Sequence, residues 1–238
     1  MTTLTETLQE IVVANRILAR EDVVDAFGHI SVRHPANPDH YLMARSRSPE
    51  LVTMGDIMEF RLTGEIVGDD DRKPYAERHI HGAIFERRPD VYSVVHNHSH
   101  AIIPFGVTQT PLRPLMHVTG VIGKRVPVWD IEDNFGGTSL LVTNMDQGRD
   151  LAKKMGDARV VLMRGHGCAI AAESIKAAAL TAVYTQVNAK LQLQAMPLGD
   201  VKYLSAEEIE LTPETLVGPL AMERAWEFFA RRAIDGEF

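Results

Sequence analysis

Apolar residues recur at near-helical spacing across residues 5–19, where Leu8, Ile11, Val12 and Leu18 fall toward one side, and this predicts an amphipathic opening helix. Shorter apolar runs at 29–33, 41–44 and 57–62 read as strands, separated by Gly and Pro as hairpin-like connections require. Residues 75–87 read as a helix that Pro89-Asp90 stops, and 92–96 as a buried strand. Two further strands are predicted at 126–129 and 140–143, then a helix at 144–155 and a strand at 159–163. Residues 173–193 form a long Ala-rich stretch with no internal Gly or Pro, so intrinsic propensity supports a helix. The last helix is placed at 217–233, where Trp226 and Phe229 are three apart, share a face and are expected to pack inward. Many of the strands are close in sequence, so antiparallel pairing should contribute. The pattern predicts a layered α/β domain with a largely antiparallel or mixed sheet rather than a doubly wound parallel one.

The 238 residues fit one domain, 1–238, with no repeat, no low-complexity segment and no Gly/Pro/Ser-rich linker; the polar run GDDDRKP at 68–74 reads as a loop. Apolar residues make up 45% and charged residues 24%, ordinary values for a soluble globular chain. A net charge of −7 argues against a nucleic-acid partner, which favours a basic face. The single cysteine, Cys168, excludes an intrachain disulfide framework and a cysteine-based zinc finger. The opening MTTLTETLQEIVVANRIL lacks the basic and apolar regions of a secretory signal. No apolar run approaches the ~18 residues of a membrane span, so a cytoplasmic protein acting on a small molecule is expected.

The candidate chemistry lies in two short stretches. VVHNHSH, residues 94–100, puts His96 and His98 two positions apart at a strand end, where alternate side chains share a face. His100 would continue that face only if the strand did, and the AIIPFG that follows reads as a turn or a new element, so His100 is set aside. VVLMRGHGCAI ends an apolar strand and holds His166 between Gly165 and Gly167, which permit tight backbone conformations and close approach. A lone histidine is more often structural or exposed than a ligand; the HxH and GHG stretches together point to a metal. Three imidazoles suit zinc, manganese or cobalt, and three protein ligands leave positions open for catalysis. Glu77 lies near the start of the helix that leads into the HxH strand. Alone it would be a solvated glutamate, but beside a dication it could act as a general acid/base or a fourth ligand. Cys168, two residues past His166, could ligate zinc as a thiolate, although a small buried residue is the preferred reading. His81 is one helical turn beyond Glu77, could share its face and could touch substrate. His79 and the Arg113 and His117 of LRPLMH are further candidates.

ERHIHGAIFERRPDVYSVVHNHSH, followed by GHG some 70 residues later, resembles the class II aldolase/adducin family, and the similarity runs over about residues 5–195. The resemblance implies a three-layer α/β/α fold with a central, largely antiparallel sheet, and a homotetramer with sites near subunit interfaces. It maps the ligands of one divalent metal ion per subunit onto His96, His98 and His166, and the catalytic acid/base onto Glu77. Adducin-like members have lost the ligands, whereas this chain keeps them. Sugar-phosphate members grip phosphate through three segments, and here those segments differ: Gly28-His29 in FGHISVR, ARSRSPELV at 44–52, and Tyr75-Ala76 where the family has a Ser-Ser pair. A phosphate needs several strong donors, so a non-phosphorylated substrate is expected. Arg45, Ser46, Arg47 and Ser48 supply guanidinium and hydroxyl donors suited to a planar carboxylate, with His29 as a further donor; the competing reading of ARSRS is a plain polar turn. Ser46, Arg47 and His29 are the expected substrate contacts, with Ser48, Tyr75 and His81 behind them. ARSRSPELV, YAERHIHG, IPFGVT, LRPLMH and MRGHG together look like the branch that decarboxylates hydroxylated aromatic or pyridine dicarboxylates. The alternatives are an aldolase or epimerase on a non-phosphorylated sugar or 2-oxo acid, and an adducin-like scaffold without catalysis.

Overall fold

The computed structural model describes residues 3–216 and 218–234. The chain runs α1 (Leu4–Arg20), β1 (His29–His34), β2 (Asn37–Ala44), β3 (Ile57–Arg61), α2 (Arg78–Arg87), β4 (Ser93–Asn97), α3 (Ile103–Val107), β5 (Val128–Trp129), α4 (Glu132–Phe135), α5 (Met145–Met155), β6 (Val160–Met163), β7 (Gly167–Ala172), α6 (Ile175–Ala195), α7 (Ala206–Leu216) and α8 (Pro219–Ile234). The seven strands form one sheet in the order β3-β2-β1-β4-β7-β6-β5. Every pairing is antiparallel except β5 with β6. The expected α/β architecture with a largely antiparallel, mixed sheet is therefore observed.

Strand alternation divides the core into two layers. Val95, Ile30, Leu162 and Ile170 turn toward α1 and α6 and join Ile11, Leu18 and Val183 in one cluster. Their neighbours Val94, Val161 and Ala171 turn to the other face and meet Ile84 of α2 and Leu151 of α5. Three layers, α/β/α, follow from this alternation. The helix starts are capped as their sequences require. Thr3 and Glu6 form a reciprocal capping box at α1, Asn144 accepts from the Gln147 amide at α5, and Ser174 accepts from the Ala177 amide at α6. No helix among the described residues is long and apolar enough to cross a membrane.

Three expectations need correction. Residues 140–143 are not a strand: Leu140 has a φ of +66°, which no extended strand accommodates, and the segment spends its backbone groups on the candidate site instead of on a ladder. The sequence pattern predicts neither β7 nor α7; GCAIAA is an apolar run too short and too small in its side chains to separate from the preceding strand by periodicity. The helix expected from residue 75 begins at Arg78, which leaves Tyr75 and Ala76 outside it and Glu77 at its N-cap position. At the C-terminus α8 starts at Pro219, and residue 217 of the expected helix lies outside the described residues. There Phe229 is buried, while Trp226 is partly covered against the same cluster.

Candidate metal centre and its flanks

β4 is the central strand of the sheet, paired with β1 on one side and β7 on the other. That position leaves His96 with no exposed surface, flanked by His29 across β1 and Ala169 across β7. His96 shares the face of Val94, the α2/α5 side, and His98 follows just past the strand end. The Nε2 atoms of these two rings lie 2.9 Å apart. His166 arrives on the tight turn between β6 and β7, with its Nε2 3.0 Å from that of His98. Both flanking glycines are required there. Gly165 adopts a φ of +65°, and a Cβ on Gly167 would sit 2.0 Å from the Asn97 carbonyl oxygen on β4. Glu77 enters from the start of α2 and is 6% exposed. Its Oε2 stands 3.4 Å from His96 Nε2 and 3.5 Å from His166 Nε2, and its Oε1 accepts the Val142 amide at 3.0 Å.

One ligand atom from each of Glu77, His96, His98 and His166 lies within 4.8 Å of all the others. The outer bonds set the tautomers. His96 Nδ1 donates to the Cys168 carbonyl at 3.0 Å and His166 Nδ1 to the Leu140 carbonyl at 3.0 Å, because a carbonyl oxygen only accepts. Both Nε2 lone pairs therefore point inward, toward His98 and Glu77. A proton on His98 could satisfy at most one of them, whereas a cation between the rings meets all. Tetrahedral coordination with bonds of about 2.0–2.1 Å puts ligand atoms roughly 3.3 Å apart; four of the six separations, at 2.9–3.5 Å, bracket that spacing, and all lie within 4.8 Å. The donor set thus fits a divalent cation, with the second ring nitrogens held as metal-binding histidines generally hold theirs. Burial together with the neighbouring His96 and His166 rings pushes the His98 imidazole down to about 4. Burial opposes ionisation of Glu77, but positive charge at the centre, which a bound cation would supply in place of protons on the rings, holds the carboxyl well below its usual range.

The flank beside His96 is a closed polar network. His29 Nδ1 lies 2.7 Å from His81 Nε2, and His81 Nδ1 lies 2.6 Å from Ser31 Oγ. Burial, reinforced by His96, pushes His81 down to about 3 and burial holds His29 well below its ordinary value, so both rings are neutral. His81 is fully buried and packs beneath the site rather than in contact with the cleft. The Tyr75 ring stands 4.5 Å from that of His29, and its hydroxyl donates to the Arg47 carbonyl. Arg45 Nε and Arg47 Nη1 both bind the buried Asp56, at 2.7 Å and 3.0–3.1 Å. Two guanidiniums share the one Asp56 carboxylate, so neither is fully neutralised by it. Ser46 is exposed, with its amide donating to the Lys73 carbonyl at 2.8 Å, and Ser48 is half-buried.

The remaining candidates lie outside the cluster. Cys168 turns its side chain to the α1/α6 face, opposite His96, where burial pushes the thiol up to about 12 and Asn97 Nδ2 donates to its sulfur at 3.3 Å. His100 is exposed on the wall of a neighbouring cavity. Arg113 stacks on the Tyr203 ring at 4.2 Å, His117 is exposed, and His79 is half-buried against the Gly64 turn. Sequence reasoning missed the Val142 amide and the Leu140 and Cys168 carbonyls. Main-chain groups carry no residue-type signal, and only the fold reveals them.

The chain matches the family model described as Class II Aldolase and Adducin N-terminal domain over residues 9–193. It is 34% identical to the decarboxylase tropJ of Talaromyces stipitatus, covering 92% of this chain and 91% of that protein. It is 29% identical to the 3,4-dihydroxyphthalate decarboxylase of Arthrobacter keyseri, covering 92% and 90%. Among solved structures, an aldolase II superfamily protein from Pseudomonas syringae superposes with a TM-score of 0.81 at 21% identity, over 99% of this chain and 95% of that one. The L-fuculose 1-phosphate aldolase of Glaciozyma antarctica gives 0.80 at 20% identity, over 100% and 94%. At those identities the structural likeness concerns the fold alone.

Proposed function

Since the chain belongs to the class II aldolase and adducin family, we propose that it is a divalent-metal-dependent carbon–carbon lyase that decarboxylates a hydroxylated aromatic or heteroaromatic dicarboxylate. The observation that carries this reading is the inward convergence of three imidazole Nε2 atoms and the Glu77 carboxylate around a space that suits a divalent cation. His96, His98 and His166 would hold one ion, zinc, manganese or cobalt, which three imidazoles do not distinguish. When bound, such an ion supplies the Lewis acidity that draws the charge left on carbon onto an adjacent oxygen, as an enolate.

The chain's own residues then have separable tasks. The hydroxyl and neighbouring carboxylate of the substrate face the three histidines. Glu77 is held ionised, so any proton it gives must be one it first takes. It removes the proton of the substrate hydroxyl and returns it, directly or through an ordered water, to the ring carbon that bears the carboxylate. The C–C bond then breaks, CO2 leaves, and the electron pair restores the ring as its oxyanion, which takes a proton from solvent. The Val142 amide fixes Glu77 Oε1, leaving Oε2 for this transfer. The far carboxylate is assigned to the turn at Ser46 and Arg47, with Ser48 beside it. There Asp56 binds Arg47 through Nη1 only, so the other edge of the guanidinium is left to the substrate. His29, neutral and oriented by His81, contributes a hydrogen bond rather than a charge. Tyr75 supports the non-phosphate reading, because its ring and the Ala76 methyl stand where a phosphate would need hydroxyl donors. The relatives with decarboxylase names cover nearly the whole chain and support CO2 as the leaving group.

A panel of ortho-hydroxy aryl and pyridine dicarboxylates, assayed for CO2 with the metal-loaded protein, tests the reading. CO2 release is expected. Aldehyde release without CO2 would replace it with aldol cleavage, and a purified protein that neither contains nor responds to a divalent metal would leave a scaffold role. The proposal also takes the chain as one cytoplasmic domain assembled as a homotetramer with sites near subunit interfaces. Light scattering should return four times the chain mass.

A further inference from the structure

Among the described residues, two that are not glycine hold a positive φ: Asp22 at +57° and Leu140 at +66°. Aspartate enters the left-handed region comparatively readily, because its short polar side chain can bond to the local backbone. Leucine has no such compensation and bears the steric cost in full. Strain of this kind persists only where the surroundings over-determine the conformation, and it gathers at functional sites. The Leu140 carbonyl accepts from His166 Nδ1 at 3.0 Å, and two residues on, the Val142 amide donates to Glu77 Oε1 at 3.0 Å. Within residues 140–142 the main chain thus meets a candidate ligand with an acceptor and the candidate acid/base with a donor.

The strap is tied down on both sides of these contacts. Upstream, the Leu140 amide donates to Thr138 Oγ1 at 3.0 Å. Downstream, Val142 is fully buried in the α2/α5 layer, and the Thr143 amide donates to Gln147 Oε1 on α5 at 2.8 Å. The Leu140 side chain packs half-buried on the same layer, and its Cδ1 lies 3.6 Å from where a Cβ on Gly165 would sit, so it also rests on the turn that carries His166. Apolar packing alone does not call for a left-handed backbone, since an extended residue presents an apolar side chain equally well. What the left-handed residue adds is the direction of the main-chain groups. Glu77 comes from the start of α2 and His166 from the β6–β7 turn, yet this one strap bonds to both, and their inner atoms Oε2 and Nε2 stand 3.5 Å apart.

We propose that Leu140 is a positioning residue, whose left-handed backbone aims the Leu140 carbonyl and the Val142 amide so that His166 and Glu77 face the centre in fixed register. The inference rests on the reading of His166 as a ligand and Glu77 as the acid/base, and it adds what holds the two together. Outer bonds of this kind fix the tautomer and ring orientation of a metal-binding histidine, and losing one costs about 10–100-fold in metal affinity or activity. The requirement at position 140 is conformational. Residues that accept the left-handed region meet it and residues that resist it fail, whatever their bulk. A packing role ranks the same substitutions in the opposite order.

The test is a series at position 140 in the full chain, read by zinc affinity in competition with a chromophoric chelator and by CO2 release on the same samples. Glycine takes a positive φ without strain and asparagine does so more readily than leucine, whereas valine, branched at Cβ, is a genuine outlier there. Leu140→Val is expected to bind zinc about 10–100-fold more weakly than Leu140→Gly, although valine restores more of the lost bulk, and Leu140→Asn should side with glycine. Visible absorption of the cobalt-loaded proteins should divide the series the same way. If zinc affinity instead follows bulk, with valine nearest the parent and glycine the weakest, Leu140 acts by packing and the proposal is overturned. Equal affinities across the series overturn it as well. Should Leu140→Val fail to fold, amide exchange in the parent decides: zinc is expected to slow exchange of the Val142 amide, and exchange unchanged by zinc overturns the proposal. A parent chain that binds no divalent metal overturns the reading of the centre together with this inference, whereas the expected order of zinc affinities without CO2 release overturns decarboxylation alone.

Discussion

The two flanks of the histidine cluster are built on opposite principles. On the His96 side the polar groups engage one another: Ser31 with His81, His81 with His29, Tyr75 with the Arg47 carbonyl, and Arg47 and Arg45 with Asp56. On the His98 side Ser99 Oγ and Gln186 Oε1 are buried with nothing to bind. Buried polar networks that are fully satisfied rigidify a site, while unsatisfied groups are costly unless something else meets them. The difference separates a hydrogen-bonded scaffold, which orients the neighbouring residues, from a flank that leaves two buried oxygens unpaired. Between the flanks the cluster itself is incomplete in a different sense, since its inward lone pairs call for a cation.

The largest expected effect concerns the centre that both flanks serve. His166→Ala should abolish stoichiometric metal binding and lower turnover on the order of 10³-fold, the scale of losing a principal electrostatic stabiliser. Elemental analysis beside CO2 release checks it, and a variant that stayed metal-loaded and active would remove the centre from the mechanism. Glu77→Gln should keep the metal yet lose about 10²-fold or more in turnover, the usual contribution of a positioned acid/base. Full activity in that variant would show that the proton takes another route.

Smaller effects discriminate the flanks directly. Asp56 is 4% exposed and takes hydrogen bonds from Arg45, Arg47 and Thr53. Breaking a buried charge pair costs about 3–5 kcal/mol; since both arginines are about a third exposed, solvent screening reduces the expected cost of Asp56→Asn to about 2 kcal/mol. Denaturant unfolding measures it. Ser31→Ala strands the buried His81 Nδ1 and should cost about 1–2 kcal/mol, whereas Ser99→Ala should cost under about 0.5 kcal/mol because no bond is lost. Equal costs for the two serines would erase the contrast between the flanks. The finest test uses pH. Although burial works against its charge, Asp56 is held well below its ordinary value by hydrogen bonds from Thr53, Arg45 and Arg47. A depressed carboxyl adds stability that is fully present above its unfolded value, near about 3.9, and is lost as pH falls through the folded value. Acid unfolding of Asp56→Asn should therefore lack a component of destabilisation that the parent shows below about pH 4.

Much of this was legible in the residues. The HxH and GHG spacings located three of the four members of the cluster, because strand alternation and glycine permissiveness are local rules that sequence carries. Glu77 was legible as a candidate from its place before a helix. The stretch at 140–143 reads as a strand because its apolar pattern suits one, but it forms none. Its actual role, a main-chain donor for Glu77 and an acceptor for His166, depends on groups that every residue possesses. The arginines of ARSRS were legible as cations, but their engagement by Asp56, eleven and nine residues away, was not.

What the sequence determined by itself is the chemistry on offer: which donors exist, at what local spacing, in a layered α/β chain whose strands prefer antiparallel partners. What only the tertiary structure decided is which of those donors are already spent. Cys168 and His96 come from adjacent strands, yet pleating sends the thiol to one face of the sheet and the imidazole to the other. His81 and His100 look alike as letters, but one is sealed within a hydrogen-bonded layer and the other stands on a cavity wall. Hydrogen-bond satisfaction and facing are properties of long-range contacts, formed by segments tens of residues apart, and no local pattern encodes them.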